Sequence, residues 1–248
     1  MVALPSLLRN FCISVSLPFG SLASCIVVLT LSLLLFLQPL PPGDILIHCG
    51  DMTNTGKASE VDGFVKWFAS QPHPHKVMIA GNHDITLDEG YYARKWKRFH
   101  PERRDQLLHQ ERPDGFVPPP TSARSLFYHN DSGIIALENS GACIRGLRFW
   151  GSPFSPEFCN WSHSVERGYA AAELWKQIPS GTHVLLTHGP PIGYGDAVGQ
   201  RRTGDVSSAP LLGRHICPTF LLILVACRST SGGARARAAI AALIWAHP

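Results

Sequence analysis

Two short apolar runs in the middle of this chain each end in a glycine followed by polar residues. The first, at 45–49, leads into Gly50-Asp51, and the second, at 76–80, leads into Gly81-Asn82. Between them, apolar residues recur at the i, i+3, i+4, i+7 spacing of one helix face: Val61, Phe64, Val65 and Phe68. A strand, a helix and a second strand form a βαβ unit, which places both glycine-marked loops at one edge of a sheet. We therefore predict an α/β protein.

A third apolar run, at 183–187, stops directly before His188. We expect the three strands to be neighbours in one sheet, so that Asp51, Asn82 and His188 converge at their carboxyl ends, where open α/β sheets bind ligands. Carboxylate, amide and imidazole groups are the ligand types of a divalent transition metal such as Mn, Fe or Zn. His83, next to this set, could protonate a leaving oxygen or stabilise charge on a phosphoryl group.

The rest of the middle segment supports less specific predictions. Ser59 and Asp62 are expected to form a capping box, 110–125 a proline-rich loop, and 164–178 a helix. Strands at 133–137, 143–144 and 147–150, separated by turn residues, predict an antiparallel meander. His48 is expected to be structural, on the strand face opposite Asp51. Six other histidines are expected to face solvent: His73, His75, His100, His109, His129 and His163.

The segment 1–42 has a different composition, with no charged residue between Arg9 and Asp44. A membrane anchor through residues 21–40 is one interpretation, because a bilayer helix needs about 20 apolar residues. The alternative is that residues 15–38 are a translated intron. Val15-Ser16 and Gln38 are the residues that splice-site codons would encode, and the Leu-, Phe- and Ser-rich run between them is what a pyrimidine tract would encode. The domain itself, 43–196, is expected to be cytoplasmic, with a membrane location only if residues 21–40 are genuine.

Composition narrows the class of partner. Lysine and arginine number 22 against 18 aspartate and glutamate, a net charge of +4, and no run of like charges forms a nucleic-acid arm. Seven cysteines without a C-x-x-C pair argue against a disulfide framework or a zinc ribbon. Residues 197–248 are expected to form a divergent, alanine- and arginine-rich tail. The oligomeric state is left open.

Four stretches carry a resemblance to a known family: DILIHCGD, KVMIAGNHD, LRFWGSPF and VLLTHGPP. They resemble the calcineurin-like metallophosphoesterases, in particular the small metallophosphoesterase-domain proteins, over residues 43–196. The resemblance implies a four-layer α/β/β/α sandwich that binds two metal ions about 3.5–4 Å apart and hydrolyses small-molecule phosphoric esters, with diesters expected. It also implies that Asp51 bridges both metals, that Asn82 and His188 bind the second, and that His83, with Asn82, contacts the phosphate.

Two motifs of that family are missing from this chain, so the sandwich is expected to be incomplete at both ends. Val15-Ser16-Leu17 stands where Asp-x-His should follow the first strand, and Gly213-Arg214-His215 lacks the second histidine of Gly-His-x-His. We therefore expect one metal ion or none, and an impaired metal centre. The alternative is a catalytically inactive phosphate-binding or scaffold protein.

Overall fold

The computed structural model describes residues 12–16, 24–28, 40–103, 121–129, 131–157, 160–189, 197–198, 201–202, 221–228 and 238–245. The helices of eleven residues or more within these ranges are α1 (Ala58–Ser70) and α2 (Glu89–Phe99). Two shorter helices follow, α3 (Thr121–Tyr128) and α4 (Tyr169–Trp175). Single 3-10 turns lie at Ile85–Leu87 and Pro101–Arg103.

The first sheet has five strands, which run across it in chain order. They are β1 (Cys12–Ser16), β2 (Ser24–Val28), β3 (Ile45–Cys49), β4 (His75–Ile79) and β5 (Ile134–Leu137). The β1 strand pairs antiparallel with β2, and the other neighbours are parallel. Ile45 lies opposite His75 across β3 and β4, with α1 between the two strands in the chain. The predicted βαβ unit is therefore confirmed.

Helix α1 covers this sheet with the face that its sequence period predicts. Val61, Phe64, Val65 and Phe68 are buried, and they pack against Leu46 and Met78 of the sheet. The predicted capping box of Ser59 and Asp62 is wrong, because the N-cap is Lys57, two residues before Ser59. Its first turn is stabilised instead by the Glu60 carboxylate, which accepts the backbone N–H of Lys57 at 3.0 Å.

The second sheet also has five strands: β6 (Ser140–Ile144), β7 (Leu147–Ser152), β10 (Val184–Thr187), β13 (Leu221–Arg228) and β14 (Ala238–Trp245). Their order across the sheet is β14-β13-β10-β7-β6. Two-stranded pairs are made by β8 (Ser155–Pro156) with β9 (Ser164–Val165), and by β11 (Ala197–Val198) with β12 (Arg201–Arg202). Strands from the predicted tail thus extend this sheet.

The predicted meander is only partly correct. Strands β6 and β7 do form an antiparallel hairpin, but β5 belongs to the other sheet, where it runs parallel to β4. An apolar run such as IIAL fits either sheet, so its neighbour is chosen by tertiary packing. The predicted helix at 164–178 is shortened to Tyr169–Trp175, because Ser164–Val165 pairs as a strand and Gly168 adopts φ 89°.

The two sheets pack face to face at Gly151. A Cβ atom there would lie 2.5 Å from Leu137 Cβ and 2.8 Å from Ile79 Cγ2, so only glycine permits this approach of β7 to the first sheet. Helix α1 covers the outer face of the first sheet, and α4 packs with Leu185 and Trp150 on the second. The order of layers is therefore α/β/β/α, as the family resemblance implies.

Within the stretch proposed as a membrane anchor, residues 24–28 form a β-strand. Their parallel pairing with Ile45–Cys49 satisfies backbone groups that a helix would bond internally, so the predicted membrane helix is wrong over these residues. Across the described ranges, no helix combines the length and the apolarity needed to span a bilayer. Of the predicted proline-rich loop, residues 110–120 lie outside the described residues, and residues from Thr121 onward are helical.

Candidate metal centre

Three side chains from loops that follow different strands meet at one point between the sheets. His188 Nε2 lies 2.8 Å from Asn82 Oδ1 and 3.3 Å from Asp51 Oδ1. Asp51 follows β3 and Asn82 follows β4, whereas His188 follows β10 of the second sheet. The residues therefore converge as predicted, but the prediction that their strands are neighbours in one sheet is wrong. The strand ends are brought together by face-to-face packing of the two sheets and not by pairing of the strands within one sheet.

The glycines in the two loops of the first sheet are needed for different reasons, backbone conformation at Gly50 and close packing at Gly81. Gly50 has φ 95° and Asp51 has φ 59°, so the chain turns through two consecutive left-handed residues. This conformation strains a non-glycine residue and is tolerated where the surroundings impose it. Gly81 is required for a steric reason, because a Cβ there would lie 2.5 Å from Asp51 Oδ1 and 2.7 Å from His188 Cε1.

The buried carboxylate of Asp84 ties these two loops together. Its Oδ2 accepts the backbone N–H groups of Gly81 at 2.8 Å and Asp51 at 3.0 Å, and a longer bond from Met52 at 3.4 Å. Its Oδ1 accepts both the backbone N–H of Thr53, at 3.0 Å, and the Thr53 hydroxyl, at 2.7 Å. Burial and the Asp51 carboxylate raise the pKa of Asp84 to about 7, while the bonds from Thr53 and Gly81 oppose the shift.

The electrostatics of the three converging atoms require a cation between them. The Nδ1–H of His188 donates to the Cys49 carbonyl at 2.8 Å, so Nε2 of the neutral ring carries a lone pair. That lone pair faces two oxygen atoms, each of which is also an electron-pair donor. A proton on Nε2 or a metal ion resolves the repulsion. The donor set of carboxylate, amide oxygen and imidazole therefore fits a divalent metal.

Without a metal ion, the surroundings of His188 favour a proton at this position. Burial alone would lower the pKa of His188, but the Asp51 carboxylate and the bond to Cys49 raise it above its usual range. Burial would raise the pKa of Asp51, but His188 and then His83 lower it below its usual range. The pair contributes stability between about pH 4 and pH 6.5, and loses it as the pH rises through the elevated pKa of His188 or falls through the depressed pKa of Asp51.

Metal binding is consequently expected to release a proton. Titration of the protein with Mn²⁺ near pH 6.5 should release a measurable number of protons per bound ion, and the affinity should rise with pH, because the ion must displace the proton from His188 Nε2. Calorimetry in two buffers of different ionisation enthalpy measures this number. The exposed residue His129 supplies the control, since His129→Gln should leave it unchanged. An affinity independent of pH from 6 to 8 would contradict the assignment.

His83 borders the three converging atoms and is held on two sides. Its backbone N–H donates to Asp51 Oδ1 at 2.9 Å, and its Nδ1–H donates to the Asn54 carbonyl at 2.9 Å. The Trp161 ring stacks on the imidazole at a centroid distance of 4.1 Å. Two buried atoms here, His83 Nε2 and Asp51 Oδ2, find no hydrogen-bond partner among the described residues. Both remain available to a ligand.

The structure corrects several histidine predictions. The prediction that His73, His100 and His163 face solvent is wrong: all three are buried, and at least one nitrogen of each ring has a polar partner inside the fold. His48 is structural as expected and packs on Phe64 at 4.6 Å, and its burial lowers its pKa to about 3. His109 and the Gly213-Arg214-His215 stretch lie outside the described residues.

Sequence reasoning missed four residues around the site: Asp84, Trp161, Ser162 and His163. Asp84 carried a signal, since it is a carboxylate directly after Asn82-His83 in a loop between buried elements. The other three lie about 80 residues further along the chain in a stretch without periodicity, and no local signal distinguishes them. Throughout the described ranges, no group of three or more His, Cys, Asp and Glu side chains is arranged to hold a metal ion. The converging set is not such a group, because its third donor, Asn82, is an amide.

Comparison with known proteins shows which proteins this chain is similar to. The chain is 35% identical to metallophosphoesterase domain-containing protein 1 of Homo sapiens over 185 residues, which are 72% of this chain and 52% of that protein, and the Mus musculus protein gives the same values. A UPF0046 protein of Caenorhabditis elegans is 35% identical over 66% of this chain and 41% of its own length. The chain thus spans about half the length of the curated relatives it matches.

The family model described as calcineurin-like phosphoesterase matches residues 30–213. This range contains both loops of the first sheet, the strand that precedes His188, and the whole set of converging side chains. The chain belongs to the calcineurin-like phosphoesterase family.

Proposed function

We propose that Asp51, Asn82 and His188 bind one divalent metal ion and that the chain hydrolyses phosphoric esters, with phosphodiesters as the substrate class. Family membership supports the coarser statement, a metal-dependent phosphoesterase. The observation that carries the proposal is the position of His188 Nε2, which lies 2.8 Å from Asn82 Oδ1 and 3.3 Å from Asp51 Oδ1. A bound divalent ion supplies positive charge that polarises a phosphoryl oxygen and acidifies water.

The chain's own residues then have separate tasks. Asp51 supplies the negative charge of the donor set, and its Oδ2 remains open for a further contact. His83 is oriented through Nδ1, so its buried Nε2 is the atom that meets a phosphate oxygen. When the ring carries a proton at both nitrogens, Nε2–H can donate to the leaving oxygen. Cys49 and Asn54 accept from His188 and His83 through backbone carbonyls, which hold both rings in one tautomer.

The proposed activity is weak because the centre is impaired. The first metal of the family's pair would have Asp51 alone, and the second would have three protein ligands, one short of the family's set. A second ion would supply further acidification of water and neutralisation of phosphate charge, and every 1.36 kcal/mol lost from such stabilisation costs about a factor of ten in rate. We therefore expect turnover several powers of ten below that of an ordinary enzyme.

The first test counts ions. Purified protein is expected to hold at most one Mn²⁺ per chain, weakly, and Asp51→Asn should abolish binding because it removes the only anionic donor. Electron paramagnetic resonance of free Mn²⁺ during titration measures this directly. Asp62→Asn, at an exposed carboxylate on α1, is the matched control and should bind as the unchanged chain does. Two tightly held ions per chain would refute the proposed stoichiometry.

The second test separates an enzyme from a scaffold. With Mn²⁺, hydrolysis of bis-p-nitrophenyl phosphate is expected just above background, and His83→Ala should remove the excess. Binding of inorganic phosphate that requires Mn²⁺, without any turnover that depends on His83, would overturn the enzymatic proposal in favour of a phosphate-binding protein. Ordinary rates that are lost in His83→Ala would instead show a complete two-ion centre.

A further inference from the structure

Four consecutive residues, 160–163, lie against the loop that carries Asn82 and His83, and we name them the clamp segment. The Ser162 hydroxyl donates to the Asn82 carbonyl at 2.7 Å. The Nδ1–H of His163 donates to the Gly81 carbonyl at 3.0 Å. The clamp segment therefore binds the backbone of two successive residues of the loop, which fixes the two chain segments in a single register.

The clamp segment is also attached to the end of the loop and to α2. The backbone N–H of His163 donates to Asp88 Oδ2 at 2.9 Å. The Tyr91 hydroxyl donates to the Asn160 carbonyl at 2.7 Å, and that carbonyl also accepts from Arg98 at 3.2 Å. Because it is bound at both of its ends, the clamp segment holds the side chain between them, Trp161, in a defined place.

In this position Trp161 packs against His83. The indole lies on the imidazole at 4.1 Å with an interplanar angle of 30°. On α2, the Phe99 ring lies 5.1 Å from the indole and the Arg98 guanidinium lies 5.6 Å from its centroid. The imidazole is thus backed by an aromatic layer that α2 supports.

This backing complements the hydrogen bond to Asn54. A histidine ring turns about its second side-chain torsion in a broad, roughly two-fold potential, so one hydrogen bond at Nδ1 leaves the ring free to tilt. A ring that tilts far enough loses this bond and can then flip. A stacked aromatic face opposes tilting, because offset rings gain about 0.5–1.5 kcal/mol that a displaced ring loses. With the plane and one nitrogen both fixed, Nε2 can point in only one direction.

We propose that Trp161 is a positioning residue that orients His83 for its contact with the phosphate, and that the clamp segment holds Trp161 in place. The inference rests on the proposed function for the role of His83, but the orientation itself does not depend on activity. It predicts that any flat ring at position 161 preserves the geometry and that an aliphatic side chain does not.

The test compares Trp161→Phe with Trp161→Leu and with Trp161→Met, which is closer to tryptophan in length. Trp67→Leu serves as control, since Trp67 is a partly buried tryptophan of α1 packed in a different cluster. The first readout is nitrogen-15 NMR of the His83 ring in metal-free protein at pH 8, which reports which nitrogen carries the proton. The unchanged chain, Trp161→Phe and Trp67→Leu are expected to show the Nδ1–H tautomer alone, whereas Trp161→Leu and Trp161→Met should show a mixture.

The second readout is the kinetics of diester hydrolysis with Mn²⁺. Measured at high enzyme concentration as turnover above background, Trp161→Leu should lose most of the rate that depends on His83 with little change in KM, because misplacement of a reacting group costs about 10- to 100-fold in rate. In the His83→Ala background the same substitution should have no further effect. Trp161→Phe should restore kcat to within about threefold of the unchanged chain.

The two readouts separate the failure of this inference from the failure of the proposed function. If the unchanged chain shows no turnover that depends on His83, the proposed function fails while the tautomer measurement still decides the inference. A single Nδ1–H tautomer in both aliphatic variants would overturn the positioning role. A rise in KM with unchanged kcat would also overturn it, since Trp161 would then be contacting substrate.

Discussion

Gly81→Ala is expected to abolish metal binding at the centre, lowering Mn²⁺ affinity by roughly 100-fold or more. The added Cβ would lie 2.5 Å from Asp51 Oδ1 and 2.7 Å from His188 Cε1, so two of the three proposed ligands must move apart. Neither can yield, because His188 is bonded to the Cys49 carbonyl and the Asp51 backbone to Asp84. Titration with Mn²⁺ followed by electron paramagnetic resonance measures the loss.

The matched control for this substitution lies on α1. A Cβ at Gly63 meets nothing within 4 Å, so Gly63→Ala should leave Mn²⁺ affinity unchanged. It should also raise the free energy of unfolding by about 0.5–1 kcal/mol, because glycine is a poor helix residue. Equal Mn²⁺ affinity in both alanine variants would mean that the ligands do not converge at Gly81, and the proposed site would have to be abandoned.

Asp84→Asn is expected to lower the free energy of unfolding by about 3 kcal/mol or more at pH 8. At that pH the carboxyl is ionised, since its pKa is about 7. Its two oxygens accept from Gly81, Asp51, Met52 and Thr53, all of them donors. An asparagine amide offers one oxygen and turns an N–H₂ group toward the remaining donors, which are then buried without an acceptor.

Urea unfolding at pH 8 checks this value, with Asp62→Asn as the control. Asp62 makes an exposed pair with Lys66 four residues along α1, so its loss should cost less than about 0.5 kcal/mol. Mn²⁺ affinity should fall along with stability in Asp84→Asn only, because both loops lose their common acceptor. A cost at position 84 no larger than that at position 62 would show that Asp84 does not hold the loops together.

Local pattern was sufficient for the part of the fold that presents Asp51 and Asn82. The burial of Val61, Phe64, Val65 and Phe68 follows from helical period alone, since residues at those spacings share one face whatever lies against it. Gly50 and Gly81 likewise mark loops that the backbone could not form otherwise. A β-strand, a helix and a parallel strand in this order leave one topology, and that topology places both loops at the same edge.

Which strands pair, and which loops meet across the sheets, was decided by tertiary structure. The apolar sequence of β10 is similar to those of β3 and β4, yet β10 lies in the other sheet. The sequence of an apolar strand that is buried on both faces does not indicate which strand it will pair with. The burial of His163 and the stacking of Trp161 on His83 depend on a segment about 80 residues away from the loop it covers. The sequence by itself therefore determined the chemical groups of the candidate centre and the strands that carry them. Their distances, and the residues that orient them, were decided only by the tertiary structure, because contacts distant in the chain leave no period in the sequence.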